Sequence, residues 1–390
     1  MTEMKYRREF TTNSHEDNLK RDQSLYVSYA NVSVCLDASF EIIQSLSSLM
    51  NPIFTISNQA SSEIVSTFEI NKRAYNAPLF ETSKPWRMPP ILQLYDTEDG
   101  AFRILNTEGK KIIFRHKEFD SSECMIEISE NCDLWKIETP DFSLNSARTV
   151  ARLLKYFFGC YLNKRGDILL HASSVQVNGR NFIFYGKKGA GKTSFMFRSC
   201  IEAGSYFISD DTTVMRYISG KFCVSGWPKR IGLSLSAVKR DHKFTDFDLR
   251  RKSELNTNLE EYIGRHLPPE ERRRIEFDVD EFLNKFNIKY AFTLGEPCFI
   301  NLEFCPDLSR SHEFEPQSEL DIDNLLLDSK DMKQFTDYLH LVPVPFAKED
   351  KLCSLKRIQD IPAFKIKYNS QGLGMVRDIL SDLDSKLRRG

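Results

Sequence analysis

The 390-residue sequence predicts an α/β protein: a mixed α/β domain, residues 141–390, preceded by a β-rich domain, residues 1–140. Three observations predict it. Residues Gly186 to Thr193 read Gly-Lys-Lys-Gly-Ala-Gly-Lys-Thr, set between the apolar run Phe182-Ile183-Phe184-Tyr185 and a segment of helical character beginning at Ser194. Short β-branched or alternating runs recur through the first third of the chain. Between the two regions, Asn145 to Leu162 carries Val150, Leu153, Leu154, Phe157, Phe158 and Tyr161 at the three-and-four spacing of an amphipathic helix.

Taken in order, the runs that predict strands in the first third are Ser24 to Cys35, Pro52 to Ser57, Glu63 to Ile70, Ile91 to Tyr95, Phe102 to Leu105, Lys111 to His116, Cys124 to Ile128 and Leu134 to Glu138. Asp99-Gly100 and Glu108-Gly109 supply turns, so a meander of antiparallel hairpins is expected, interrupted by a helix over Ala38 to Leu49. Thr139-Pro140-Asp141 ends this pattern, and Asp141 or Ser143 is placed to cap the amphipathic helix. From Gly166 the order becomes strand over Ile168 to Val177, turn at Asn178-Gly179, strand over Asn181 to Tyr185, phosphate loop, helix over Ser194 to Ala203 and buried strand over Ser205 to Ser209. Lys239 to Arg274 is charge-dense, with Arg250-Arg251-Lys252 and Glu270 to Arg274 around a helix expected at Leu259 to His266; it reads as a solvated face or a basic lid. Strands over Tyr290 to Leu294, Pro297 to Phe304 and Ala363 to Tyr368 and a helix over Gly372 to Leu387 complete the chain.

The loop carries its own chemistry. Gly186, Gly189 and Gly191 let backbone N–H groups, with those of Lys187, Lys188, Ala190 and Ser194, curl around a polyphosphate at the positive end of a helix. Lys192 reaches the β- and γ-phosphates and the Thr193 hydroxyl suits Mg²⁺, so ATP or another nucleoside triphosphate with Mg²⁺ is the expected cofactor. Asp210 and Asp211 follow Lys192 by 18 and 19 residues, at the end of the next strand, where a phosphate-loop enzyme needs carboxylates to hold or position the metal.

Composition narrows the partners. Lys plus Arg number 54 against 55 for Asp plus Glu, which gives no global basic field for nucleic acid or an acidic membrane. The sequence contains no apolar stretch of bilayer length and begins with polar residues, so a cytoplasmic protein is expected. The nine cysteines show no Cys-x-x-Cys pair or zinc spacing and read as reduced core thiols.

The combination of Leu169-Leu170-His171-Ala172-Ser173, the loop Gly186 to Thr193, and Ile208-Ser209-Asp210-Asp211 resembles the catalytic core of HPr kinase/phosphorylase. More closely it resembles the HPr-kinase-like proteins encoded with ribosomally made peptides, some of which phosphorylate lasso-peptide precursors. The resemblance covers residues 145–235 and fades on either side. It implies the HPr-kinase and PEP-carboxykinase-like fold, with Lys192 and Thr193 on the triphosphate and Mg²⁺. One of Asp210 and Asp211 would be the catalytic base and the other would assist the metal, with either acid able to be the base; Thr193 and Asp211 are the expected metal residues, and His171 would help place the phosphates. Where the bifunctional enzymes carry a Glu-x-Arg-Gly signature, this chain reads Pro228-Lys229-Arg230-Ile231-Gly232-Leu233-Ser234 without an acid, which favours a plain kinase. An oligomer is expected on the same resemblance. Three functions fit these residues: a kinase for a Ser or Thr hydroxyl of a peptide or small protein, a kinase for free serine or another metabolite, and an ATP-binding subunit that transfers phosphate to nothing but water. A β-rich domain suits capture of an extended peptide by strand addition, which favours the first.

Overall fold

The computed structural model describes residues 25–72, 102–107, 110–115, 122, 124–234, 274–326, 335, 337, 340–345 and 351–389. Its first sheet has eight strands: β1 (Leu25–Tyr29), β2 (Val32–Asp37), β3 (Thr55–Ser57), β4 (Ile64–Lys72), β5 (Phe102–Thr107), β6 (Lys110–Arg115), β7 (Cys124–Ser129) and β8 (Leu134–Thr139). Their spatial order is β3-β1-β2-β4-β8-β7-β6-β5. The single strand expected over Ser24 to Cys35 is a hairpin, turned at Ala30 (φ 48°) and Asn31 (φ 61°), the paired positive φ angles of a tight two-residue connection. Strands β5 to β8 form the expected antiparallel meander. The centre of the sheet does not: β2 pairs with β4 and β4 with β8 in parallel, because the chain leaves the sheet through the helix α1 (Phe40–Met50) and later returns beside β4.

One face of this sheet lies on α2 (Leu144–Arg165), the expected amphipathic helix. Ser143 caps it, its side chain accepting from Ser146 N, while Asp141 accepts from the Ser143 and Ser146 hydroxyls. Phe157 on α2 stands edge-on to both Phe68 of β4 and Trp135 of β8, which stack on each other with centroids 5.0 Å apart. Tyr29, Phe54 and Phe158 form a second aromatic contact, reaching Trp227. The core is therefore continuous from the first sheet through α2 to the elements beyond it.

Those elements are β9 (Ile168–Leu170), β10 (Ser173–Val177), β11 (Arg180–Tyr185), α3 (Lys192–Glu202), β12 (Tyr206–Ser209), β13 (Thr213–Ile218), β14 (Lys221–Gly226), β15 (Ile231–Ser234), β16 (Arg274–Phe277), β17 (Thr293–Leu294), β18 (Glu296–Phe304), β19 (His312–Gln317) and β20 (Ala363–Tyr368). Six of them form a mixed sheet in the order β12-β10-β11-β18-β20-β19, in which β11, β18 and β20 run parallel. Four form the sheet β17-β14-β13-β9. The run Ile168 to Val177, expected as one strand, is broken at His171-Ala172, and its halves join different sheets. The break takes both residues out of the ladder: His171 N donates to Leu325 O (2.7 Å) and Thr213 Oγ1 to Ala172 O (2.9 Å).

The C-terminal helix is interrupted at Gly374, giving Ser370–Leu373 and Val376–Arg389. The cysteines are reduced; six are buried, but Cys353 is exposed and so departs from the expected core placement. The strand expected at Ile91 to Tyr95, the turns at Asp99-Gly100 and Glu108-Gly109, the helix expected at Leu259 to His266 and the basic residues Arg250 to Lys252 and Arg272 to Arg273 lie outside the described residues. Among the described residues, no helix is long and apolar enough to cross a membrane.

Candidate functional site

The site begins where β11 ends. Buried Phe182 to Tyr185 anchor the strand, and the chain then turns through Gly186 (φ 144°) so close to β18 that a Cβ there would come within 2.6 Å of Leu302 O. At the far end of the loop Gly191 (φ 83°) stands at the N-cap of α3, and no side chain caps the helix. A Cβ on Gly191 would overlap the Tyr368 hydroxyl, which donates to Ala190 O (2.7 Å). Tyr368 thus holds the loop from β20, and glycine alone leaves it room. Lys187, Lys188 and Gly189 are exposed at the crest, and Thr193 and Ser194 lie in the first turn of α3, which contains no acidic side chain to oppose a bound anion. Lys192 spans the loop, its Nζ donating to Gly186 O at 2.9 Å. Burial lowers its proton affinity, while Asp211 and Asp210 act in the opposite sense.

The two carboxylates leave β12 in different directions. Asp210 is buried, and its Oδ1 accepts from Ser173 Oγ (2.8 Å) and Thr193 Oγ1 (2.9 Å). Asp211 has a positive φ of 61°, a conformation that Asp tolerates better than most residues, and its side chain is one-third exposed. His171 Nε2 lies 3.0 Å from its Oδ1, and Lys229 forms an ion pair with its Oδ2. These environments separate the two acids chemically. Burial, reinforced by the charge of Asp211, raises the Asp210 carboxyl above the ordinary range despite its hydroxyl donors. Burial would raise Asp211 too, but His171 and Lys229 outweigh it and hold this carboxyl well below the ordinary range.

The structure brings His171, Thr193, Lys192, Asp210 and Asp211 into one cluster at the mouth of the loop. His171 touches Asp211 from the break between β9 and β10 rather than from within a strand. The hydroxyl of Thr193, expected to share the metal with Asp211, contacts Asp210 instead, and Asp211 faces His171 and Lys229. Three members were missed. Ser173 lies in the same Leu-His-Ala-Ser run as His171, two residues on, so it was within reach of the motif. Lys229 comes from the turn after β14, where Lys229 N donates to Trp227 O (2.7 Å), and Tyr368 from the last strand; neither position carries a local signal.

Among the described residues no group of three or more His, Cys, Asp or Glu forms a metal cage. The donor set present, one carboxylate and one hydroxyl beside a phosphate loop, fits Mg²⁺, which takes hard oxygen ligands and usually binds through one or two carboxylates plus substrate phosphates.

No family model and no curated relative matches the sequence. Among solved structures a match is found to the Hpr(Ser) kinase/phosphatase from Coxiella burnetii, at 9% sequence identity and a TM-score of 0.27, covering 56% of this chain and 92% of that chain. A superposition that loose identifies no residue of the site.

Proposed function

We propose that this chain is an ATP- and Mg²⁺-dependent kinase that transfers the γ-phosphate to an alcohol hydroxyl, with a Ser or Thr of a peptide or small protein as acceptor. The observation that carries the reading is the contact of Thr193 Oγ1 with Asp210 (2.9 Å) at the start of α3, with Asp211 next in sequence and turned the other way. Phosphoryl transfer needs positioning, positive charge and one carboxylate near the acceptor, and these residues supply each.

Backbone N–H groups of the loop and the free N-terminus of α3 bind the β- and γ-phosphates, and Lys192 adds a cation. Thr193 and Asp210 would hold Mg²⁺, which would supply charge to offset the phosphate oxygens. Asp211 orients the acceptor hydroxyl and takes its proton. Its lowered proton affinity suits a loose transition state, in which the hydroxyl proton is lost late and base strength matters less than aim. His171 and Lys229 aim it, each holding one of its carboxylate oxygens.

The eight-stranded sheet, in which β5 is an edge strand among the described residues, suits a peptide acceptor bound in extended form, and the resemblance of the quoted motifs to peptide-modifying kinases points the same way. The test is mass spectrometry of peptides and metabolites incubated with enzyme, ATP and Mg²⁺. Added phosphate on a peptide Ser or Thr is expected. Labelling of a free metabolite alone, or release of phosphate alone, would replace the peptide acceptor by a metabolite or by water.

A further inference from the structure

Phe304 ends β18 and is 44% exposed, an uncommon setting for a phenylalanine at the carboxyl end of a central strand. Its surroundings are specific. Along β18, Cys298, Ile300 and Leu302 pack into the same core as Phe184, Phe195 and Tyr368, whereas Phe299 packs into the core on the other side of the sheet with Ile183 and Tyr185. Strand alternation therefore puts Phe304 on the face that carries α3. Register places it beside the loop: Tyr185 is opposite Asn301, so the chain running on from Gly186 passes the last residues of β18. The Phe304 ring meets Tyr368 edge-on at 5.5 Å, Tyr368 meets Phe195 of α3 at the same distance, and the Tyr368 hydroxyl holds Ala190 of the loop. Phe304 is thus an open aromatic face fixed to the framework that holds the phosphate loop, on the side away from β12, Asp210 and Asp211.

A nucleoside triphosphate seated in the loop with its γ-phosphate toward Asp210 and Asp211 has its base directed elsewhere along the carboxyl ends of the strands, where parallel sheets place their ligands. The ends of β18 and β20 lie there. We infer that Phe304 is the stacking platform for the nucleotide base, with Tyr368 fixing its position. This inference rests on the phosphate-loop reading. Stacking uses a π-face that every base has, so the platform contributes affinity for purine nucleotides without choosing between ATP and GTP.

The test compares Mg·ATP, Mg·GTP and Mg·tripolyphosphate binding to the full chain by calorimetry, for wild type, Phe304→Ala and Phe304→Trp. Tripolyphosphate engages the loop but has no base. For Phe304→Ala, affinity for ATP and GTP should fall about 10-fold while that for tripolyphosphate stays as in the wild type, and Phe304→Trp should bind nucleotide at least as well as the wild type. Unchanged ATP binding by Phe304→Ala overturns the inference. Equal weakening of ATP and tripolyphosphate also overturns it, since Phe304 would then act only by supporting the loop through Tyr368. A wild-type chain that binds neither ligand removes the phosphate-loop reading itself, and the platform with it.

Discussion

At the scale of single residues, the site separates tasks by environment. Lys192 is only half-buried and makes one hydrogen bond to its own loop, so Lys192→Ala should leave the fold intact and remove the rise in melting temperature that Mg·ATP gives the wild type. Thermal shift with and without Mg·ATP checks this, and equal shifts in both proteins would count against the loop as the nucleotide site. The acid pair should respond asymmetrically. Asp210→Asn removes a buried charge that the folded state holds at a cost, so it should unfold no more easily than the wild type while losing Mg²⁺-dependent turnover. Asp211→Asn breaks the contacts to His171 and Lys229, both partly exposed, and should cost about 1 kcal/mol or less, with turnover reduced by orders of magnitude and nucleotide still bound. Denaturation midpoints and single-turnover rates of both variants separate these outcomes.

The pH dependence follows from the same two carboxyls. In the metal-free chain the Asp210 carboxyl is raised by burial and the charge of Asp211, so a proton competes with Mg²⁺ there at a higher pH than at an ordinary Asp, and Mg²⁺ binding should weaken on the acid side. Asp211 runs the other way: its lowered proton affinity stabilises the fold fully above the ordinary Asp range, and this is lost as pH falls toward its depressed value. A pH profile of Mg²⁺ binding to the wild type by calorimetry tests the assignment; an acid limb that stays in the ordinary carboxylate range would move it to another group.

At the scale of elements, the site depends on two irregularities. The break at His171-Ala172 lets one stretch of chain serve two sheets, and it leaves His171 and Ser173, two positions apart, on Asp211 and Asp210 respectively. The other is the contact between Gly191 and Tyr368. Gly191→Ala would force a Cβ against the Tyr368 hydroxyl at a positive φ, so nucleotide binding should be lost with the sheet intact. Tyr368→Phe removes only the bond to Ala190 O and should weaken binding far less. Calorimetry on the two variants ranks them, and a tight-binding Gly191→Ala would mean the loop moves freely of β20.

At the scale of the whole molecule, α2 is the common floor of the two regions. Phe157 is fully buried between Phe68 and Trp135, and the same core continues to α3 and β18. Phe157→Ala should therefore destabilise the chain by about 3–5 kcal/mol. Trp135 fluorescence and loss of nucleotide binding should follow one transition, displaced to lower denaturant; separate transitions would show that the first sheet unfolds on its own.

Features that depend on neighbours along the chain are legible in the sequence. The phosphate loop, its flanking strand and helix, the amphipathic repeat of α2 and the Asp210-Asp211 pair are all local patterns, and each element appears near its expected place. Features that depend on residues far apart come from the packed fold. It set the parallel pairing at the centre of the first sheet, which local alternation cannot encode because hairpin turns and crossovers leave the same strand pattern. It brought Lys229 to Asp211 and Tyr368 to Ala190 across gaps of 18 and 178 residues, with nothing nearby in sequence to announce either contact. It also placed Asp210 rather than Asp211 against Thr193, because the turn at Asp211 passes through a positive φ, and that single dihedral sends adjacent side chains to opposite partners.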